Sequence, residues 1–199
     1  MRQVRITLTA LAACLFLAGC LTFEQTMRIQ EDGSVLASYV YTYQEANETA
    51  IRACLASALS AAQLKDTPVD FLNEQGIARF CTEQGLELRQ YRKNTKDGRT
   101  TVQIIILARR NAPEKLLALG GFVQTKNEMR VILPEIGWPE NMKGTISSLC
   151  PDLALSLTIV APGKITETNG KTLRPDTANW IFTPQEGLFA KQQDIFVKW

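Results

Sequence analysis

Residues 22–43 read TFEQTMRIQEDGSVLASYVYTY, and this stretch decides the fold. Thr22 to Ile29 and Val35 to Tyr43 each read as a strand. The link Glu31-Asp32-Gly33-Ser34 is a turn, because Asp and Gly tolerate the backbone that a tight reversal needs. Val35, Ala37, Tyr39, Tyr41 and Tyr43 share one face at a period of two, and Leu36, Ser38, Val40 and Thr42 share the other. Two strands cannot bury such a face alone, so the rest of the chain must supply further strands and a cover. The tyrosine ladder suits either a binding wall or packing against a helix, and packing is the commoner use.

The next segment supplies the cover. Glu45 to Leu64 is helical by composition, with seven alanines between Ala46 and Ala62. Ile51, Leu55, Ala58 and Ala62 make its apolar stripe. A second helix is expected from Thr67 as cap, Pro68 at the first helical position and Asp70 as the capping-box acid, with Gly85 as its stop. A break near Lys65 to Thr67 makes the pair an antiparallel αα-hairpin. Cys54 and Cys81 stand at equal distances from that break, which places them at one height and makes Cys54–Cys81 the preferred disulfide, with Cys150 free. Closing that loop would contribute about 3 kcal/mol in the chain-entropy model. Bridges to Cys150, or no bridge at all, are the alternatives.

Strands dominate the remainder of the chain. Leu86 to Tyr91 and Thr100 to Ala108 form a hairpin through Lys96-Asp97-Gly98, and Val102 to Leu107 is apolar on both faces, the pattern of an interior strand. Asn111 to Gly120 reads as a short helix with Pro113 in its first turn. Phe122 to Lys126 and Met129 to Leu133 form a third hairpin, and Pro134, Gly137, Pro139 and Gly144 mark a loop that holds Trp138. From Leu153 the pattern is wholly β, and Asn169-Gly170 signals a type I′ hairpin between Lys164–Thr168 and Lys171–Leu173. Ala178 to Phe182 and Asp194 to Trp199 complete the set. The fold class is therefore α+β: a mostly antiparallel sheet, an αα-hairpin on one face, and a C-terminal part made only of strands. Residues 146–199 either form a β-rich lobe or extend the main sheet.

The N-terminus carries an address. Arg2 and Arg5 precede a twelve-residue apolar run from Ile6 to Leu17, too short for the roughly 20 residues that span a bilayer and right for a secretory signal. Leu17-Ala18-Gly19-Cys20 resembles the lipobox of bacterial lipoproteins. That resemblance implies a cut before Cys20, removal of residues 1–19 and acylation of Cys20, leaving residues 20–199 as one anchored domain. Leu21, where enteric-type sorting reads Asp as an inner-membrane signal, favours the outer membrane and its periplasmic face.

Two later stretches resemble LppM-like lipoproteins. One is Met27-Arg28-Ile29-Gln30-Glu31-Asp32-Gly33-Ser34-Val35, like that family's first hairpin. The other runs from Leu155 through Pro162-Gly163-Lys164 to Asn169-Gly170, followed by Asn179-Trp180-Ile181-Phe182. The resemblance implies an α+β envelope domain on a lipid anchor, with an apolar cavity suited to lipid proposed for some relatives. It implies no catalytic residues.

Composition narrows the chemistry further. The chain has no histidine, which excludes Ser-His-Asp and Cys-His catalysis, a His general base and the usual zinc sites. With Arg2 and Arg5 removed, 20 basic and 20 acidic residues remain, so no strong field draws nucleic acid. Arg92-Lys93 and Arg109-Arg110 are small basic spots that suit lipid phosphates or plain solvated edges. No metal or cofactor motif appears. The expectation is a non-catalytic module binding a lipid or other apolar ligand, and the alternative is an assembly partner of envelope proteins.

Overall fold

The computed structural model describes residues 21–62, 70–110, 121–133, 154–183, 186 and 193–199. β1 (Thr22–Ile29) and β2 (Val35–Gln44) pair antiparallel in register from Thr22–Thr42 to Ile29–Val35. Gly33 takes φ +81° in the turn between them. Asp32 Oδ1 fastens that turn by accepting from the Ser34 amide at 2.8 Å and the Ser34 hydroxyl at 2.6 Å.

β3 (Glu87–Lys96) and β4 (Arg99–Ala108) form the next hairpin. Asp97 and Gly98 connect them with φ of +51° and +73°, the positive pair that a two-residue type I′ turn requires. β4 pairs antiparallel with both β2 and β3, so β2 and β3 run parallel and need a crossover. That crossover is helical. After a 3₁₀ turn at Glu45–Asn47 come α1 (Glu48–Ala62) and α2 (Glu74–Gln84).

The start of α2 differs from expectation. Asn73 is the cap, its Oδ1 accepting from the Gly76 amide at 2.9 Å. Asp70 lies ahead of the helix and accepts from the Asn73 side chain at 3.3 Å. Thr67 and Pro68 fall outside the described residues. The delayed start leaves Phe71 and Leu72 free of helical geometry, and both are buried. Gly85 ends α2 as expected, at φ +67° with its amide donating back to Cys81 and Thr82 carbonyls.

Among the described residues eleven strands form two sheets. The others are β5 (Gly121–Gln124), β6 (Glu128–Leu133), β7 (Ala154–Val160), β8 (Glu167–Thr168), β9 (Lys171–Arg174), β10 (Thr177–Phe182) and β11 (Gln193–Lys198). The larger sheet runs β3-β4-β2-β1-β7-β10-β9, and the smaller β5-β6-β11-β8. Every pairing is antiparallel except β1 with β7. The α+β class and the all-strand C-terminal part are thus as expected. Strands after residue 153 divide between the sheets.

One core serves both. Met27, Ile29, Ile104, Ile106, Ile159 and Ala178 of the larger sheet cluster with Met129, Val131, Ile195 and Val197 of the smaller and with Ile51, Leu55 and Ile77 of the helices. The other face of β4, with Gln103, Ile105 and Leu107, is only half-buried. β4 is an interior strand with one face open.

The Asn169-Gly170 hairpin is not formed. β8 pairs with β11 and β9 pairs with β10, so this dipeptide carries the chain from one sheet to the other, and neither residue has positive φ. Contacts set its position instead. Asn169 Oδ1 accepts from Trp180 Nε1 at 3.1 Å and from the Phe196 amide at 3.2 Å, and its Nδ2 donates to the Asp194 carbonyl at 2.5 Å. The expected helix at Asn111–Gly120 and the loop with Trp138 lie outside the described residues.

Candidate ligand-binding seam

Strand register lays one row of side chains across the inner face: Tyr91, Ile104, Tyr39, Gln25, Leu157 and Trp180, from β3 to β10. A neighbouring row holds Val102, Tyr41, Phe23, Leu155 and Phe182. Nearly all of these are apolar or aromatic. Gln25 is the exception, and it stands in the middle.

Two different segments pack on these rows. On the β2–β3 side the cover is helical. The Phe71 ring stacks on Tyr41 with centroids 4.1 Å apart and planes at 9°, and the Tyr91 hydroxyl donates to the Phe71 carbonyl at 3.1 Å. Cys81 of α2 faces Tyr39, whose phenol is raised above its ordinary range by burial and then by that thiol. On the β10 side, the Asn169-Gly170 crossing lies against Trp180. Gln25 stands in the row between Tyr39 and Leu157, at the seam between the strands these segments cover.

Gln25 is 7% exposed and, among the described residues, its Nε2 has no hydrogen-bond partner. Leaving a buried amide donor unpaired costs about 1–3 kcal/mol. Phe23, next to it, is only partly buried and touches Tyr39 and Tyr41, at centroid distances of 6.5 and 4.9 Å. Leu155 beside Phe23 is partly buried too. The seam therefore offers apolar contact, ring faces and one donor, a combination suited to an apolar molecule with a carbonyl-like acceptor.

The rim of the helical cover is held by Glu48. It accepts from Lys93 at 2.6 and 2.7 Å, from the Tyr43 hydroxyl at 2.8 Å and from Arg52 at 2.8 and 3.1 Å. Burial alone would raise its carboxyl, but these donors outweigh it and hold it at about 2. Burial, with the Glu48 hydrogen bond, pushes the Tyr43 phenol up.

The residues marked from sequence fare differently. The three tyrosines are buried, and Tyr41 and Tyr43 pack on Phe71. Arg92 and Lys93 part company, Lys93 joining Glu48 on the inner side while Arg92 faces out. Cys81 carries a free buried thiol, pushed up to about 11 by burial. The structure thus draws no bridge at Cys81; the Cys54 side chain, Cys20 and Cys150 lie outside the described residues. Gln25, Glu48 and Phe71 were not singled out from sequence. A polar residue at an inward position of β1 was the available signal for Gln25. Among the described residues no cluster of His, Cys, Asp or Glu could hold a metal ion, and no helix is long and apolar enough to cross a membrane.

The fold is similar to that of the folded domain of the LppM protein from Mycobacterium tuberculosis, solved by NMR, with a TM-score of 0.53, 13% identity and 90% of each chain covered. At that identity the likeness shows the fold alone, and the LppM-like resemblance holds at that level. No protein-family model matches the chain, and no curated protein matches it.

Proposed function

We propose that this chain is a non-catalytic envelope lipoprotein, anchored through acylated Cys20, that binds a lipid or another apolar ligand at the seam around Gln25. The unpartnered Gln25 amide on an apolar inner face carries the reading. A ligand with an ester or carboxyl oxygen would satisfy the donor, while Phe23 and Leu155 offer contact to its hydrocarbon. The signal-like N-terminus supplies the setting, since acyl chains contribute about 0.8 kcal/mol per buried methylene and more than one chain holds a protein on a membrane. The likeness to a lipoprotein domain supports the same setting, and Leu21 favours the periplasmic face of an outer membrane.

Native mass spectrometry of the mature protein, gently extracted from its own membranes, tests this. The expected spectrum shows a non-covalent apolar species in addition to the covalent anchor, and less of it on Gln25→Leu. A chain that is empty in every preparation overturns the ligand reading. An unmodified Cys20 overturns the anchor.

A further inference from the structure

We infer that the outer face of the β3–β4 hairpin end docks on anionic phospholipid headgroups of the membrane that holds the anchor. The inference rests on the Cys20 reading for its setting and not on the ligand at the seam.

Register gives the first reason. Thr22, Thr42, Thr101 and Asn94 form one row across β1, β2, β4 and β3. The chain therefore enters β1 at the same end of the sheet as the Asp97-Gly98 turn. At about 4.8 Å per strand, β3 is about 14 Å from β1. Cys20 precedes Thr22 by two residues, a reach of at most about 7 Å. An acyl anchor there brings the hairpin end to the lipid surface.

Charge gives the second. Arg92, Asn94 and Lys96 of β3 stand opposite Gln103, Thr101 and Arg99 of β4. Arg92, Asn94, Thr101 and Gln103 line an open groove of about 310 Å³. Arg92, Lys96 and Arg99 are exposed, and none is in an ion pair among the described residues. The other cations of the hairpin are engaged, Arg89 with Glu87 and Lys93 with Glu48. The β2 residues flanking the groove, Val40, Thr42 and Gln44, are uncharged. Asp97 in the turn and Glu45, whose amide donates to the Gly98 carbonyl, are carboxylates at that end, and Glu24 of β1 lies beyond Val40 in the outer row of Gln103 and Arg92. Cations within a Debye length of an anionic leaflet are drawn to it, and the groove adds amide and hydroxyl groups that can bond phosphate oxygens.

The test is lysine footprinting of the full mature protein reconstituted into phosphatidylcholine vesicles with or without phosphatidylglycerol, using an impermeant amine acylating reagent. Lys164 is the internal reference. It is exposed and follows the far end of β7, where Val160 pairs with Arg28. Phosphatidylglycerol should slow Lys96 labelling relative to Lys164 by about fivefold, the effect of one basic residue at an anionic surface. Arg92→Gln with Arg99→Gln should abolish most of that protection while Lys164 stays constant. An equal Lys96 to Lys164 ratio on both vesicles overturns the inference. If Cys20 proves unmodified, the anchor reading fails separately, and flotation of the same chain decides the docking. Capture by phosphatidylglycerol vesicles alone, lost in the double variant, upholds it, and capture by neither vesicle overturns it.

Discussion

Gly170 lies against the indole of Trp180 so closely that a Cβ on the glycine would fall 2.6 Å from Cζ2 of the ring. No L side chain fits there without moving the ring or the backbone. The ring cannot move freely, because its Nε1 donates to Asn169 at 3.1 Å and its strand is paired to β7.

Gly170→Ala should therefore destabilise the protein by about 1–3 kcal/mol, the usual cost of overpacking a filled site. Urea denaturation followed by Trp fluorescence measures it. Shrinking the ring should return part of the loss, so Gly170→Ala with Trp180→Leu should cost less than the two single changes added together. Full additivity would mean that the close approach is not what Gly170 provides.

This pair also marks where the sequence stops being legible. Asp97-Gly98 and Asn169-Gly170 carry the same local signal. The first forms the expected turn because β3 and β4 have continuous partners on both sides of it. The second does not, because β8 finds its partner in β11 and β9 finds its partner in β10. Local chemistry names a reversal, and long-range pairing decides whether one occurs. The delayed start of α2 has a similar cause. Thr67, Pro68 and Asp70 suit a helix start, but Phe71 is better placed on the Tyr41 ring. Period-two alternation predicted β2 well, since it depends only on which face is buried, whereas β4, apolar on both faces in sequence, is fully buried on one alone. The seam was not readable in that way, because it depends on strands and covering segments far apart in sequence on either side of Gln25.

Glu48 should stabilise the fold above its ordinary range and fail in acid. Its folded carboxyl sits at about 2 against an ordinary 4.5. A depressed acid contributes fully above the unfolded value and loses its contribution as pH falls from about 4.5 toward 2. Glu48→Gln should cost about 1–2 kcal/mol near pH 7, where it weakens the charge-assisted hydrogen bonds from Lys93, Arg52 and Tyr43. The gap between wild type and variant should narrow steadily below pH 4.5. Denaturation midpoints across that window give the answer, and a gap independent of pH would remove the carboxylate from the account.

Cys81 should behave as an inert thiol in the native state. It is buried and pushed up to about 11, so little thiolate exists near neutral pH. Alkylation should fail on the folded protein and succeed on unfolding without reductant, as read by peptide mass spectrometry. A requirement for reductant would instead place Cys81 in a disulfide, and the linked peptide would tell Cys54 from Cys150 as its partner.

Gln25→Leu should make the protein more stable and less able to carry a ligand. The amide sits 7% exposed with an unpaired donor, and replacing it with a hydrocarbon of similar size removes the desolvation cost. A gain of about 1–2 kcal/mol in the ligand-free protein is expected, because an unsatisfied buried donor costs more than its isosteric apolar substitute. A residue kept solely for packing would show the opposite sign, since Leu would then replace a satisfied group with a worse-fitting one. Binding should move the other way, because an acceptor oxygen on the ligand would lose its donor while the contacts with Phe23 and Leu155 remain. Melting curves of delipidated protein, run beside ligand recovery from the same preparations, separate the two effects. Opposed changes would identify Gln25 as a residue whose strain is held for binding, whereas a loss of stability would assign it to the core.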